Sequence, residues 1–318
     1  MSTARNPLPR LGLGTAQLGN LYRATTDDEA AGAIAEAWNG GIRYFDTAPH
    51  YGLGLSERRL GTLLRAFPRD QYVVSTKVGR LLVPSPETAT ERDRDFDVPA
   101  DVKRVWDFSR DGIRRSVDAS LARLNLDYLD IVYLHDPDDH WHAASTTGID
   151  ALVELRDQGI VRRIGAGMNQ SEMLAEFVRR CDVDVVMVAG RYTLLDDSAA
   201  DKLLPLAQER DIAVVAAAVY NSGLLSRARP APNAHYDYGP VPKDILVRAN
   251  DIADLAELFG AHLPDLALQF ALRSPAIHSV VVGARTAEQV RTTIERFNRD
   301  IPGALWEHLE HSGLISAS

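Results

Sequence analysis

The chain has 318 residues, 45% hydrophobic and 25% charged, ordinary values for a globular protein that allow two average domains or one large α/β barrel. Its 35 basic against 44 acidic residues give a net charge of −9, which argues against nucleic acid or an acidic membrane surface as a partner. A single cysteine, Cys181, excludes an intrachain disulfide and a cysteine-based zinc site, and with neither a signal-like start nor an apolar run near the ~20 residues that span a bilayer, a cytoplasmic protein is expected.

Taken in chain order, short apolar, β-branched runs alternate with amphipathic stretches. Residues 11–14 form the first predicted strand, and a helix over 27–39 stops at Gly40 and Gly41. A strand over 43–45 precedes a helix over 56–65, and a strand over 72–76 leads into a long connection rich in proline and charge. A helix over 111–124, a strand over 129–134 and a helix over 147–157 follow. Gly159 separates that helix from a strand over 161–166, and the next helix, 171–180, is expected to be capped by Ser171 and helped by Glu172. Strands over 183–188, 213–217 and 279–282 and helices over 199–209, 244–259 and 286–297 complete the pattern. Most strands lack a period of two, as strands buried on both faces do. Eight strand–helix units predict a single (β/α)8 barrel domain over 1–318. An open doubly wound sheet would want a GxGxxG turn opening a helix, and LGLGTAQLG at 11–19 does not supply one.

Two connections, 78–109 and 220–243, are too long for plain links and rise from the face where barrels carry their active sites. Trp106 and Phe108 in the first, and HYDYG in the second, make them binding loops rather than padding.

Polar residues stand just past the strands: Asp46 and Tyr51 after the second, Lys77 after the third, His135 after the fourth, and Asn169 after the fifth. Arg191 and Tyr192 follow the sixth, Tyr220 and Asn221 the seventh, and Gly283 to Arg285 the eighth. A barrel brings these ends to one mouth. A free phenol, with a pKa near ~10, exchanges protons poorly at neutral pH, and an adjacent ammonium lowers that value. Tyr51 is therefore expected to be the proton donor and acceptor, Lys77 its tuner, Asp46 the carboxylate that holds Lys77, and His135 the hydrogen-bond partner of the substrate oxygen. No side chain carries hydride, so a nicotinamide cofactor must. HDPDDHWH at 135–142 offers nitrogen and oxygen ligands, but all on one loop, and no metal is expected. His50 is expected to be structural or to sit on the substrate rim.

The segments GLGTAQLG (12–19), YFDTAPHYGLGLSERRLG (44–61), STKVG (75–79), SLARLNLDYLDIVYLHDPD (120–138), IGAGMN (164–169) and VVGARTAEQV (281–290) resemble the aldo-keto reductase family, in its order and over nearly the whole chain. The resemblance implies a (β/α)8 barrel, a nicotinamide cofactor held at the mouth, and the tetrad Asp46, Tyr51, Lys77 and His135. It implies cofactor contacts from Gly14, Thr15, Asp46, Asn169, Tyr220, Asn221, Gly223, Leu225, Gly283, Arg285, Thr286 and Gln289. Substrate contacts are expected from Tyr51, His135, Trp141, Tyr192 and Tyr236.

DFSRDGIRRSVDASLARL (107–124), GRYTLLD (190–196), YNSGLLS (220–226) and HYDYGPVP (235–242) resemble the branch of D-threo-aldose, L-fucose and L-galactose dehydrogenases, with pyridoxal 4-dehydrogenase similar as well. That branch oxidises a cyclic hemiacetal to a lactone. The alternatives are an aldehyde or ketone reductase, a pyridoxal dehydrogenase, and a non-catalytic cofactor-binding regulatory subunit. Where many members carry a carboxamide-gripping glutamine, this chain has Gly190, and Met168 replaces the serine before Asn169. Where NADP-specific members place Lys and Arg, it has Gly283 and Gln289, with Arg285 and Arg291 near, so NAD or NADP stays open. The expected partner is a small sugar or other hemiacetal or carbonyl compound, and the expected assembly a monomer or homodimer.

Overall fold

The computed structural model describes residues 7–237 and 239–316; Tyr238, part of the HYDYG string, lies outside them. Eight parallel strands close into a barrel with every neighbour adjacent in sequence: β1 (Leu11–Gly14), β2 (Tyr44–Asp46), β3 (Val73–Val78), β4 (Leu129–His135), β5 (Val161–Met168), β6 (Val185–Ala189), β7 (Ala213–Ala217) and β8 (Ile277–Gly283). The expected (β/α)8 architecture is the observed one, and each predicted strand falls on a barrel strand. Among the described residues, no helix is long and apolar enough to cross a membrane.

Alternation along the strands builds two apolar regions. Side chains such as Phe45, Val74, Val132 and Leu134 turn outward and pack under the helices. Tyr44, Ile131, Tyr133, Val185, Met187, Val215 and Val281 turn inward and fill the barrel. The register pairs Asp46 with Ser75 and Lys77 with Tyr133, so the inward positions at the C-terminal ends of β2 to β4 become polar together.

Differences from the expected elements have local causes. Helix Ser171–Arg180 starts where expected, but its N-cap is Gln170, with no side-chain bond, so Ser171 is not the cap. Helix Leu263–Phe270 is buried on nearly every side, leaving no amphipathic stripe to read. Helix Gly303–His311 follows a Pro-Gly pair and shows only two buried leucines, Leu305 and Leu309. Both long connections carry antiparallel hairpins, Arg80–Pro84 with Val102–Trp106 and His235–Tyr236 with Gly239–Pro240. Proline and charge, which suit edge strands, had masked them as loop.

Candidate active site

The turn after β2 places Tyr51 by close backbone contact. A Cβ on Gly19 would lie 2.6 Å from the carbonyl carbon of Tyr51, and one on Gly52 would lie 2.2 Å from the Gly19 oxygen. Gly52 also needs its φ of +62°. Helix Leu55–Leu64 then pins the turn: the Ser56 hydroxyl bonds Thr15 O (2.7 Å), Thr15 Oγ1 (2.8 Å) and Thr47 Oγ1 (2.9 Å). The fully buried Glu57 accepts from Thr76 and from Arg123, each at 2.6 Å. The SE pair of the GLGLSE segment is thus the anchor that ties three strand ends together.

At the mouth, Lys77 Nζ donates to Asp46 Oδ2 (2.7 Å), Thr47 O (3.0 Å) and the Tyr51 hydroxyl oxygen (3.1 Å). All three ammonium protons are used, and the phenol keeps its own proton for a ligand. Asp46 Oδ1 accepts from Ser75 at 2.6 Å. Below, the Tyr44 and Tyr133 hydroxyls lie 3.3 Å apart inside the barrel, so polar groups continue down from the tetrad. The His135 ring stands perpendicular to that of Tyr51, centroids 6.0 Å apart.

Electrostatics correct one expectation. Burial pushes the Tyr51 phenol above its ordinary value, and the Lys77 charge only partly pulls it back. Burial opposes the charge of Lys77, yet Asp46 and Tyr51 together hold its pKa above the usual lysine value. Burial, followed by Arg80 and Lys77, drives the His135 imidazole well below its normal range, so it is neutral. Asp136 sits next to it at a φ of +43°, its carboxyl raised by burial and countered by Arg80, whose Nη2 is 2.5 Å away.

The four residues line a cavity of about 440 Å³ together with Gly14, Thr15, Gln17, His50, Phe96, Asp136, Met168 and Met187. It adjoins a second cavity of about 810 Å³ lined by Asn169, Gly190, Tyr220, Asn221, Gly223, His235 and Asp237, with Gln17, Leu21, Tyr22, Ala189, Ala218, Val281 and Gly283 common to both. The donor set there fits a dinucleotide. Gln17 Oε1 and Asn221 Oδ1 are buried without partners, and Ala218, Asn221, Ser222 and Gly223 all hold left-handed backbone around the cradle. Buried polar atoms and strained backbone of this kind point to a ligand.

Of the expected cofactor residues, Gly14, Thr15, Asp46, Asn169, Tyr220, Asn221, Gly223 and Gly283 line these cavities. The Thr15 hydroxyl is already engaged, donating to Asp46 O at 2.8 Å. Leu225 does not; its side chain is fully buried in the shell core. Arg285, Thr286 and Gln289 are not among the residues that line either cavity. The Arg285 guanidinium bonds Arg23 O (2.9 Å), Leu21 O (2.6 Å) and the Thr25 hydroxyl, and so ties down the segment after β1. Thr286 caps helix Ala287–Asn298 by accepting from Gln289 N, and Gln289 Oε1 accepts from Arg285 N. Arg291 pairs with Glu36 at 3.0 Å.

Of the expected substrate residues, Tyr51 and His135 face the cavity, and three do not. Trp141 packs edge-on against Phe177, centroids 4.8 Å apart, and borders a separate groove with Met173, Glu176 and Arg180. Tyr192 is buried against Phe270. Tyr236 packs on the shell core, while its neighbours line the second cavity, His235 as the preceding strand residue and Asp237 from the turn, at a left-handed φ of +47°. Asp237 is held in a two-pronged pair by Arg191, both contacts 2.9 Å. His140 packs beside Trp106 and Phe108, and among the described residues no cluster of three His, Cys, Asp or Glu could hold a metal.

The sequence model of the Aldo/keto reductase family matches residues 10–311. The chain is 46% identical over 312 residues to a D-threo-aldose 1-dehydrogenase of a Pseudomonas species, covering 97% of this chain and 95% of that one. It is 37% identical to a pyridoxal 4-dehydrogenase of Microbacterium luteolum, covering 96% and 94%. Among solved structures, the holo form of an aldo-keto reductase from Bacillus halodurans superposes with a TM-score of 0.75 at 27% identity, covering 98% and 93% of the two chains.

Proposed function

The chain belongs to the aldo/keto reductase family of oxidoreductases, and from that premise we propose that it oxidises the C1 hemiacetal hydroxyl of an aldose to the lactone, with Tyr51 as the proton-transfer group. The observation that carries this reading is the interlocked Asp46–Lys77–Tyr51 set, which opens beside neutral His135 onto a cavity joined to a dinucleotide-sized cradle. The likeness to a D-threo-aldose 1-dehydrogenase supports the substrate class.

His135 holds the reacting oxygen as a neutral imidazole, adding no charge that would oppose Lys77. Tyr51 in its phenolate form accepts the C1 hydroxyl proton; the O–H bond breaks and its electrons form the lactone carbonyl as the C1–H bond gives up hydride. A bound nicotinamide would supply the acceptor for that hydride, or its source in the opposite direction. Asn169 and Asn221 are the side chains placed to hold the cofactor, with Gly14, Gly223 and Gly283 allowing close backbone approach. Lys77, fixed by Asp46, stabilises the phenolate. Because burial keeps Tyr51 protonated, carbonyl reduction with Tyr51 as acid is the second reading, the same device in reverse.

For cofactor choice, NAD is the reading we favour. Positions 283 and 289 carry no cation, Arg285 is engaged with backbone carbonyls, and Arg291 is paired with Glu36. That leaves little to meet a 2′-phosphate. A panel of aldoses and pyridoxal, assayed with NAD and NADP separately, tests both points. Turnover of simple aldehydes with no oxidation of any aldose would overturn the dehydrogenase reading, and a lower KM for NADP than for NAD would overturn the cofactor reading.

A further inference from the structure

The tetrad uses one imidazole, but the cavity holds two. His50 lines it beside His135, their ring centroids 5.5 Å apart and their planes at 76°. The Phe96 ring meets His50 edge-on at 5.3 Å, and Arg104, itself paired with Asp93, donates to the His50 carbonyl at 3.2 Å. The ring is therefore seated firmly. Neither of its nitrogens makes a hydrogen bond with any described residue, and Nδ1 is buried with no partner, which leaves Nε2 as the atom toward the open cavity. Burial, with Arg104, Arg80 and Lys77 outweighing Asp93, lowers its pKa to about 3, so His50 is neutral and offers one donor and one acceptor.

A substrate with one reacting oxygen needs only Tyr51 and His135. It would leave the second imidazole covered and unpaired, which weakens its binding. A substrate with a hydroxyl on the adjacent carbon has a group that both donates and accepts and so pairs with either tautomer. The two rings touch edge to face, so a substrate oxygen held by His135 brings the oxygen on the adjacent carbon beside His50. We propose that His50 is a specificity-determining residue whose ring nitrogen hydrogen-bonds the hydroxyl next to the reacting carbon, selecting 2-hydroxy aldehydes and aldoses over compounds that lack it. The inference rests on the cavity being the substrate site, as in the function proposed above.

The test compares kcat/KM for glyceraldehyde and propanal in the reductive direction, and for an aldose and its 2-deoxy form in the oxidative direction, in the wild type, His50→Phe and His50→Gln. The wild type is expected to favour the 2-hydroxy member of each pair by roughly ten- to a hundred-fold. His50→Phe should collapse that ratio at least about tenfold, chiefly through KM, and His50→Gln, which keeps a polar group, should restore part of it. An unchanged ratio in His50→Phe would overturn the proposal, as would a wild type that does not distinguish the pairs. If aldose oxidation is absent while aldehydes are reduced, the dehydrogenase reading alone fails and the aldehyde pair still decides the role of His50. His50→Gln supplies the comparison if the phenylalanine variant does not fold.

Discussion

The two halves of the barrel mouth are built on opposite principles. On the side of β2 to β4 the groups around Lys77 satisfy one another: Asp46, Lys77, Ser75 and Tyr51 are joined by hydrogen bonds, while His50 beside them keeps a buried nitrogen without a partner among the described residues. On the side of β7, β8 and the segment after β1, polar atoms of Gln17 and Asn221 are buried without partners, and the backbone runs through left-handed turns. In the function proposed above, the first half is set in advance for proton transfer, an electrostatic arrangement that lowers a barrier without rearrangement. The second is a cradle that is complete only with a ligand in it. Catalysis and binding should therefore separate when either half is altered.

Replacing Tyr51 by Phe is expected to give the largest effect, about 10²- to 10⁴-fold in kcat, with cofactor affinity by fluorescence titration retained. Near-normal turnover would break the assignment of the first half. The pH profile tests the same half more gently. Because the Tyr51 pKa is raised, the phenolate fraction grows with pH, so oxidation should climb from about pH 7 to about pH 10 while reduction holds level or falls. A flat oxidation profile would show that another group takes the proton.

Asn221→Asp addresses the second half. Aspartate tolerates the left-handed backbone at 221, φ 44°, but places a carboxylate where a diphosphate-bearing cofactor would lie. Cofactor Kd should rise about tenfold, with the pH profile of catalysis unchanged. The smallest effect is expected at Trp141→Leu, whose side chain lies against Phe177 outside the cavity; kcat/KM for an aldose should change less than about twofold. A larger loss would return Trp141 to the substrate pocket.

The same contrast explains what could be read in advance. Asp46, Tyr51, Lys77 and His135 are costly to place at buried strand ends, so their joint presence was a chemical signal, and the structure brings them together. Arg285 and Gln289 are residue types that surfaces carry freely, and their use as ties and caps was invisible. An indole such as Trp141 suits a sugar face, but aromatic rings also suit a core, and Trp141, Tyr192 and Tyr236 pack against it. For His50 the sequence leaves a structural and a substrate-rim role both open, and its place beside His135 in the cavity favours the second.

What the sequence determined by itself was the repeating order of strands and helices, the barrel they close into, and the four groups of the acid–base device. Periodicity, glycine stops and the scarcity of buried charge are local properties, and they survive in a string of letters. The tertiary structure decided the rest: which side of a loop faces the cavity, which arginines are already engaged, and whether burial or an adjacent ammonium prevails at Tyr51. Each of these depends on groups far apart in the chain meeting at distances of a few ångströms, where desolvation and hydrogen bonding compete, and no local pattern records the outcome.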